Sequence, residues 1–180
     1  TKDGVVMAII ETIETVYLEA DAANITFSSL GSYKDLQVVM SAHSTNSGSG
    51  YHDIYIEFNG SSGSDYASHA FYVYNDTSVS LNKYTGLSSI NAGGLTAGPL
   101  SDASLYAPTT VNIYDYLSTN KNTALNSMTG IEDDYQGNSK VQFAGAVWNS
   151  TAALTSIKLT PSSASFLRGT TMSLYGIKSS

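Results

Sequence analysis

Between residues 33 and 58 the chain alternates apolar and polar side chains in two separate runs, and this alternation narrows its fold more than any other feature. Leu36, Val38, Met40 and Ala42 fall on one side, opposite Asp35, Gln37, Ser41 and His43, with Val39 the one break in the pattern. A period of two is the spacing of a strand with one buried face. The segment Ser44 to Gly50 consists only of Ser, Thr, Asn and Gly and reads as an exposed turn. The second run then places Ile54, Ile56 and Phe58 inward and Asp53, Tyr55 and Glu57 outward, and Asn59-Gly60 closes it with a strong hairpin dipeptide. A further short strand is expected over Phe71 to Tyr74. No helix-length segment separates these strands, so they read as an antiparallel meander.

The rest of the chain continues in the same style. Thr110 to Leu117 is a strand candidate whose apolar face carries Asp115 beside Val111, Ile113 and Leu117. That carboxylate is either hydrogen-bonded within the sheet or at a rim. Residues 141–148 are apolar on both sides, with Val141, Phe143 and Val147 on one and Ala144, Ala146 and Trp148 on the other. Such a strand is either central and covered twice or packed against a neighbouring subunit. Thr155 to Thr160 and Met172 to Ile177 complete the set, with Pro161 and Gly169 bracketing the turn between them. Residues 91–108 are rich in Gly, Ala and Pro and read as a long ordered loop. At the N-terminus, Ile9, Ile10, Ile13, Val16, Tyr17 and Ala20 match a helical stripe, yet the segment is rich in Ile, Thr and Val, which favour strands. A hairpin of 9–18 and 24–28, turning near 19–23, is the preferred reading.

Composition agrees. Only 13% of the 180 residues are charged, against about 25% in an ordinary soluble domain. Ser and Thr supply about a quarter of the chain, 13 Tyr are present, and Lys, Arg, Glu and Gln are scarce. The expected fold is all-β: one domain over residues 1–180, a two-layer antiparallel β-sandwich, jelly-roll-like, of roughly eight to ten strands. Residues 1–8 are a candidate arm.

Charge narrows the partners. Eight Lys and Arg against 15 Asp and Glu give a net charge of −7. Nucleic acid and anionic membranes both require a clustered basic surface, so neither is expected as a partner. No apolar run reaches the length of a spanning helix, and no leader pattern of a charged segment before an apolar one is visible. The absence of Cys removes thiolate metal sites and Cys nucleophiles. His43, His52 and His69 lack metal-ligand spacing, and no G-x-S-x-G is present. The cluster Glu132-Asp133-Asp134 lacks a calcium-loop pattern and reads as a solvated turn. No cofactor is expected. Asp53 and Glu57 share one face of a strand and are the best carboxylate pair for a glycosidase, a reading ranked last. Sequons at Asn24, Asn59, Asn75 and Asn149 are expected by chance in such a composition. Arg168, the one arginine, reads as a turn residue, with an interface ion pair the sharper alternative.

Several segments, taken in order, carry a family resemblance. Ile25-Thr26-Phe27-Ser28-Ser29-Leu30 followed by Tyr33-Lys34-Asp35-Leu36 is similar to an "ITFSSI" strand leading into "Y-x-D/H-L". Ile54 to Gly60 matches a strand ending in "FNG", Asp115 to Lys121 a "DYxxTNK" segment, and Trp148 to Ile157 a "W-x-N/S-T-x-A-I-x-S-I" segment. Phe166 to Thr170 and Ser173 to Lys178 match an "F-x-x-G-S/T" and "LYGI" ending. Together these resemble a family of tailed-bacteriophage virion proteins over about residues 10–178. The resemblance implies a β-sandwich or jelly-roll module of the virion, non-enzymatic, serving in capsid decoration or in a head or tail fibre. It implies capsid or other virion proteins as partners, and a homo-oligomer is expected, because decoration proteins commonly act as dimers or trimers. The alternative is a glycan- or receptor-binding module of a fibre, recognising a host surface glycan. For that role the candidate binding residues are the loop tyrosines Tyr51, Tyr66, Tyr106 and Tyr135, although for each of them packing against its own loop is the preferred reading.

Overall fold

A computed structural model describes residues 9–46, 51–74, 78–97, 104–132 and 139–178. Twelve strands run through them: β1 (Ile9–Tyr17), β2 (Ile25–Phe27), β3 (Asp35–Ser44), β4 (Tyr51–Phe58), β5 (Tyr66–Tyr74), β6 (Ser78–Leu87), β7 (Ile90–Ala97), β8 (Ala107–Tyr114), β9 (Thr123–Ile131), β10 (Lys140–Trp148), β11 (Ile157–Pro161) and β12 (Thr171–Lys178). The described residues contain no helix. The strands form the two-layer antiparallel sandwich that the alternation implies. A large sheet has the order β1-β12-β3-β8-β9-β10-β5-β6, and a small sheet the order β2-β11-β4-β7. One corner is closed: the last residues of β3 pair in parallel with β7, at His43 with Thr96 and Ser44 with Ala97.

The buried face of each strand is the one its alternation selects. Leu36, Val38, Met40 and Ala42 of β3 meet Ile54, Ile56 and Phe58 of β4 in a single core with Phe27, Ile90, Val111, Ile113, Trp148, Ile157, Leu159 and Leu174. Val39 breaks the pattern because it faces the other way and is exposed. His43, expected outward, is buried. Alternation fails there because β3 leaves the large sheet to pair with β7, so its last residues are covered from both sides.

Pairing differs from the expected order in three places. The three early strands are not a meander: β3 lies between β12 and β8, β4 between β11 and β7, and β5 between β10 and β6. The N-terminal hairpin does not form either. β1 pairs along its length with β12, and β2 pairs with β11. In both cases the winning contacts are distant in sequence, which local patterning does not reveal. Finally, residues 91–97 of the expected 91–108 loop belong to a strand, β7, and residues 107–108 open β8, with residues 98–103 lying outside the described set. Ala92, Gly93 and Gly94 are small there because β7 runs close beneath β8 and β9. A Cβ on Gly93 would come within 3.0 Å of Thr109 Cγ2 and 3.1 Å of Thr129 Cβ. The Gly94 carbonyl accepts from Thr109 Oγ1 at 3.3 Å.

Candidate functional site

Two surfaces stand out, one apolar and one polar. The apolar one is the outer face of the large sheet between β6 and β3. Cross-strand register sets Leu81, Phe71, Phe143, Met128, Thr110 and Val39 side by side in one row. Val79, Val73 and Val141 form a second row beside it. Leu81 is 80% exposed, Met128 60% and Val141 58%. The Phe71 and Phe143 rings stack at 5.7 Å. β10 is therefore central in its sheet, with Ala144 and Trp148 covered by the small sheet and Val141 and Phe143 open. Alongside Phe71 and Phe143 runs a groove of about 480 Å³ bordered by His69, Leu81, Lys83 and Gly145. Monomeric proteins seldom leave such contiguous apolar rows uncovered. The next row along the same face is polar and internally satisfied: Gln37 Nε2 donates to Asn112 Oδ1 at 2.8 Å, Asn112 Nδ2 to Asn126 Oδ1 at 2.9 Å, and Asn126 Nδ2 to Tyr114 Oη at 3.0 Å.

The polar surface is a cleft where β5 and β6 extend past β7, the edge of the small sheet. Asp53 and Tyr55 reach it from the outer side of β4, as the alternation requires, and Asn91 from β7. Ser68, Ala70 and Tyr72 of β5 and Asn82 and Tyr84 of β6 face them. The main lobe holds about 460 Å³ and includes Ser88 and Ser89, and an adjoining recess of about 190 Å³ is floored by Lys140 and Gln142. A β-bulge between Asn91 and Gly93 turns Asn91 toward this recess. Its Oδ1 accepts from Gly93 N–H at 3.1 Å and from Gln142 Nε2 at 3.4 Å.

Lys140 is only 4% exposed. Its Nζ lies 3.2 Å from Asp53 Oδ1 and 5.3 Å from the Tyr72 ring centroid. A buried ammonium requires such partners, since an unpaired one costs several kcal/mol, by order of magnitude. Burial pushes the Tyr55 hydroxyl above its ordinary range, and the negative charge of Asp53 adds to this.

Of the four tyrosines expected to bind, the two whose side chains are described, Tyr66 and Tyr106, lie in different surroundings. Tyr66 is fully buried, not in a loop: its ring packs with Phe58 and Trp148, and its hydroxyl accepts from Phe58 N–H at 2.8 Å. No surface ligand reaches it. Tyr106 is half-buried against His43, and its hydroxyl donates to the Arg168 carbonyl at 2.6 Å. Tyr51 opens β4, paired through its backbone with Thr96. Its side chain, and the whole of Tyr135, lie outside the described residues. Asp53 and Glu57 do share the outer face of β4, but each is paired with a lysine, Glu57 with Lys158 at 3.1 Å. Asp115 sits at a rim between Lys34 and Lys121. Arg168 is a turn residue whose backbone N–H donates to Asp21 at 2.8 Å. Asp133 and Asp134 lie outside the described residues, and among those described no three metal-ligating side chains converge.

Sequence reasoning missed Tyr55, Tyr72, Tyr84 and Lys140 as companions. A signal was present: Lys140 and Gln142 continue the inward register of Ala144, Ala146 and Trp148, which places a lysine on a core face. Neither a protein-family model nor a curated protein matches this chain.

Proposed function

We propose that this chain is a non-enzymatic structural protein of a bacteriophage virion, a capsid decoration or head-associated protein. It seats on the capsid surface through the outer face of its large sheet and acts as a homo-oligomer. The observation that carries this reading is the apolar strip of Leu81, Phe71, Phe143 and Met128, which has aromatic residues at its centre and no charge within it. Aromatic residues and Met with few charges are the composition of an interface core. The ordered run of phage-like segments supports the virion setting. The engagement of Asp53 and Glu57 by lysines supports binding over hydrolysis, because glycoside hydrolysis needs two carboxyl groups facing across a gap.

The test is co-sedimentation of the purified protein with particles of its phage that have been stripped of it, alongside analytical ultracentrifugation of the free protein. Wild-type protein is expected to bind particles and to sediment as an oligomer. A Phe71→Ser, Phe143→Ser double variant is expected to lose particle binding at least about a hundredfold, since central aromatic anchors carry much of an interface. Its melting temperature should hold, because both side chains are already open to solvent. Wild-type protein that is monomeric and ignores particles would overturn the reading.

A further inference from the structure

We infer that the cleft between β4–β7 and β5–β6 is a binding site for a neutral saccharide of one or two sugar units. This inference concerns a different surface from the apolar strip and holds wherever the protein sits in a particle.

The chemistry of the cleft selects the ligand class. Among the described lining residues the one cation, Lys140, and the one carboxylate, Asp53, are paired with each other, so these side chains offer no net charge to an ionic ligand. What remains is uncharged hydrogen-bonding capacity. The hydroxyls of Tyr55, Tyr84 and Ser68 have no hydrogen-bond partner among the described residues, although Ser68 is only 8% exposed. Asn82 donates one amide N–H to Tyr72 Oη at 3.3 Å, and its carbonyl oxygen has no partner among the described residues. Asp53 keeps its second carboxylate oxygen. These groups can both donate to and accept from hydroxyls, which is what a polyol requires. Tyrosine rings and Leu87 supply apolar surface for the C–H face of a pyranose. The volume falls within the roughly 300–1,000 Å³ usual for small-ligand sites. The walls come from two sheets and are held by the Lys140–Asp53 and Gln142–Asn91 contacts, so the site is formed before any ligand arrives. The overall charge of −7 further disfavours acidic polymers.

The experiment is saturation-transfer NMR on the full chain with maltose, cellobiose, lactose and N,N′-diacetylchitobiose, with sialyllactose as the anionic comparison. At least one neutral disaccharide is expected to show transfer. Tyr84→Ala is expected to weaken that binding at least about tenfold, and Ser68→Phe, which fills the recess, to abolish it. Tyr84 is 47% exposed, so its replacement leaves the fold intact even if Ser68→Phe does not fold. Absence of transfer from all four neutral sugars would overturn the inference. So would binding that survives Tyr84→Ala unchanged, or a preference for sialyllactose. None of these outcomes bears on particle binding through Phe71 and Phe143.

Discussion

At the scale of single residues, buried tyrosine hydroxyls pin the connections between strands. Tyr66 Oη accepts from Phe58 N–H and donates to the Ser61 carbonyl at 3.1 Å, which ties the Asn59-Gly60 turn to β5. Both turn residues have positive φ, 53° and 68°, the tight turn that Asn-Gly favours, although here it joins the two sheets and not a hairpin. Tyr116 does the same for residues 30–33, accepting from Tyr33 N–H at 3.2 Å and donating to the Gly31 carbonyl at 2.8 Å. Tyr66→Phe strips a buried N–H of its partner, so a loss of about 1–3 kcal/mol is expected in chemical denaturation. An unchanged midpoint would show that the Phe58 amide is satisfied in another way. In the sequence Tyr66 follows a Ser/Gly-rich stretch and looks like a loop residue. Only the pairing of β5 with β10, which sets it beside Trp148, reveals an anchor.

At the scale of elements, strands whose period was unbroken were legible and those containing an irregularity were not. β3 and β4 bury the residues their alternation names. β1 looked partly helical for an identifiable reason. A bulge between Thr12 and Glu14 inserts Ile13, so the half-buried Ile13 and Val16 stand three apart in an otherwise alternating strand. β7 looked like a loop because its glycines serve close packing. Gly93 has φ 147° and lies against Thr109 and Thr129, which are themselves bonded at 2.7 Å. Gly93→Ala is therefore expected to cost about 1–3 kcal/mol through strain and crowding, with the damage centred on the β7–β9 contact. Amide exchange that accelerates evenly over the whole chain, with no focus there, would contradict this local account. Of the candidate sites, the apolar strip was half-visible as the two-sided β10, whose outer residues Val141 and Phe143 are exposed. The cleft was not visible, because its residues come from five strands whose adjacency no local pattern encodes.

At the scale of the whole molecule, the first strand closes the fold by pairing with the last. The Lys178 ammonium donates to Glu11 at 2.7 Å, and the Tyr33 hydroxyl donates to the same carboxylate at 3.1 Å. Together they hold Glu11 below the usual carboxylate range, with Lys178 the larger cause. Removing residues 1–18 would expose the whole ladder edge of β12 and uncover the core beneath Ile13, Val16 and Leu18. The expected outcome is a lower melting temperature and concentration-dependent association through the bare edge, seen by calorimetry and light scattering. A truncated protein that melts as the intact one does and stays monodisperse would show that β1 is dispensable.

Because Ile9 lies opposite Lys178 at the edge farthest from β6, both ends of the sandwich emerge from one corner. A short tether between Ile9 and Lys178 would give a circularly joined chain. Such a join would lie at the β1–β12 edge of the large sheet, remote from Phe71 and Phe143, and would leave that surface clear.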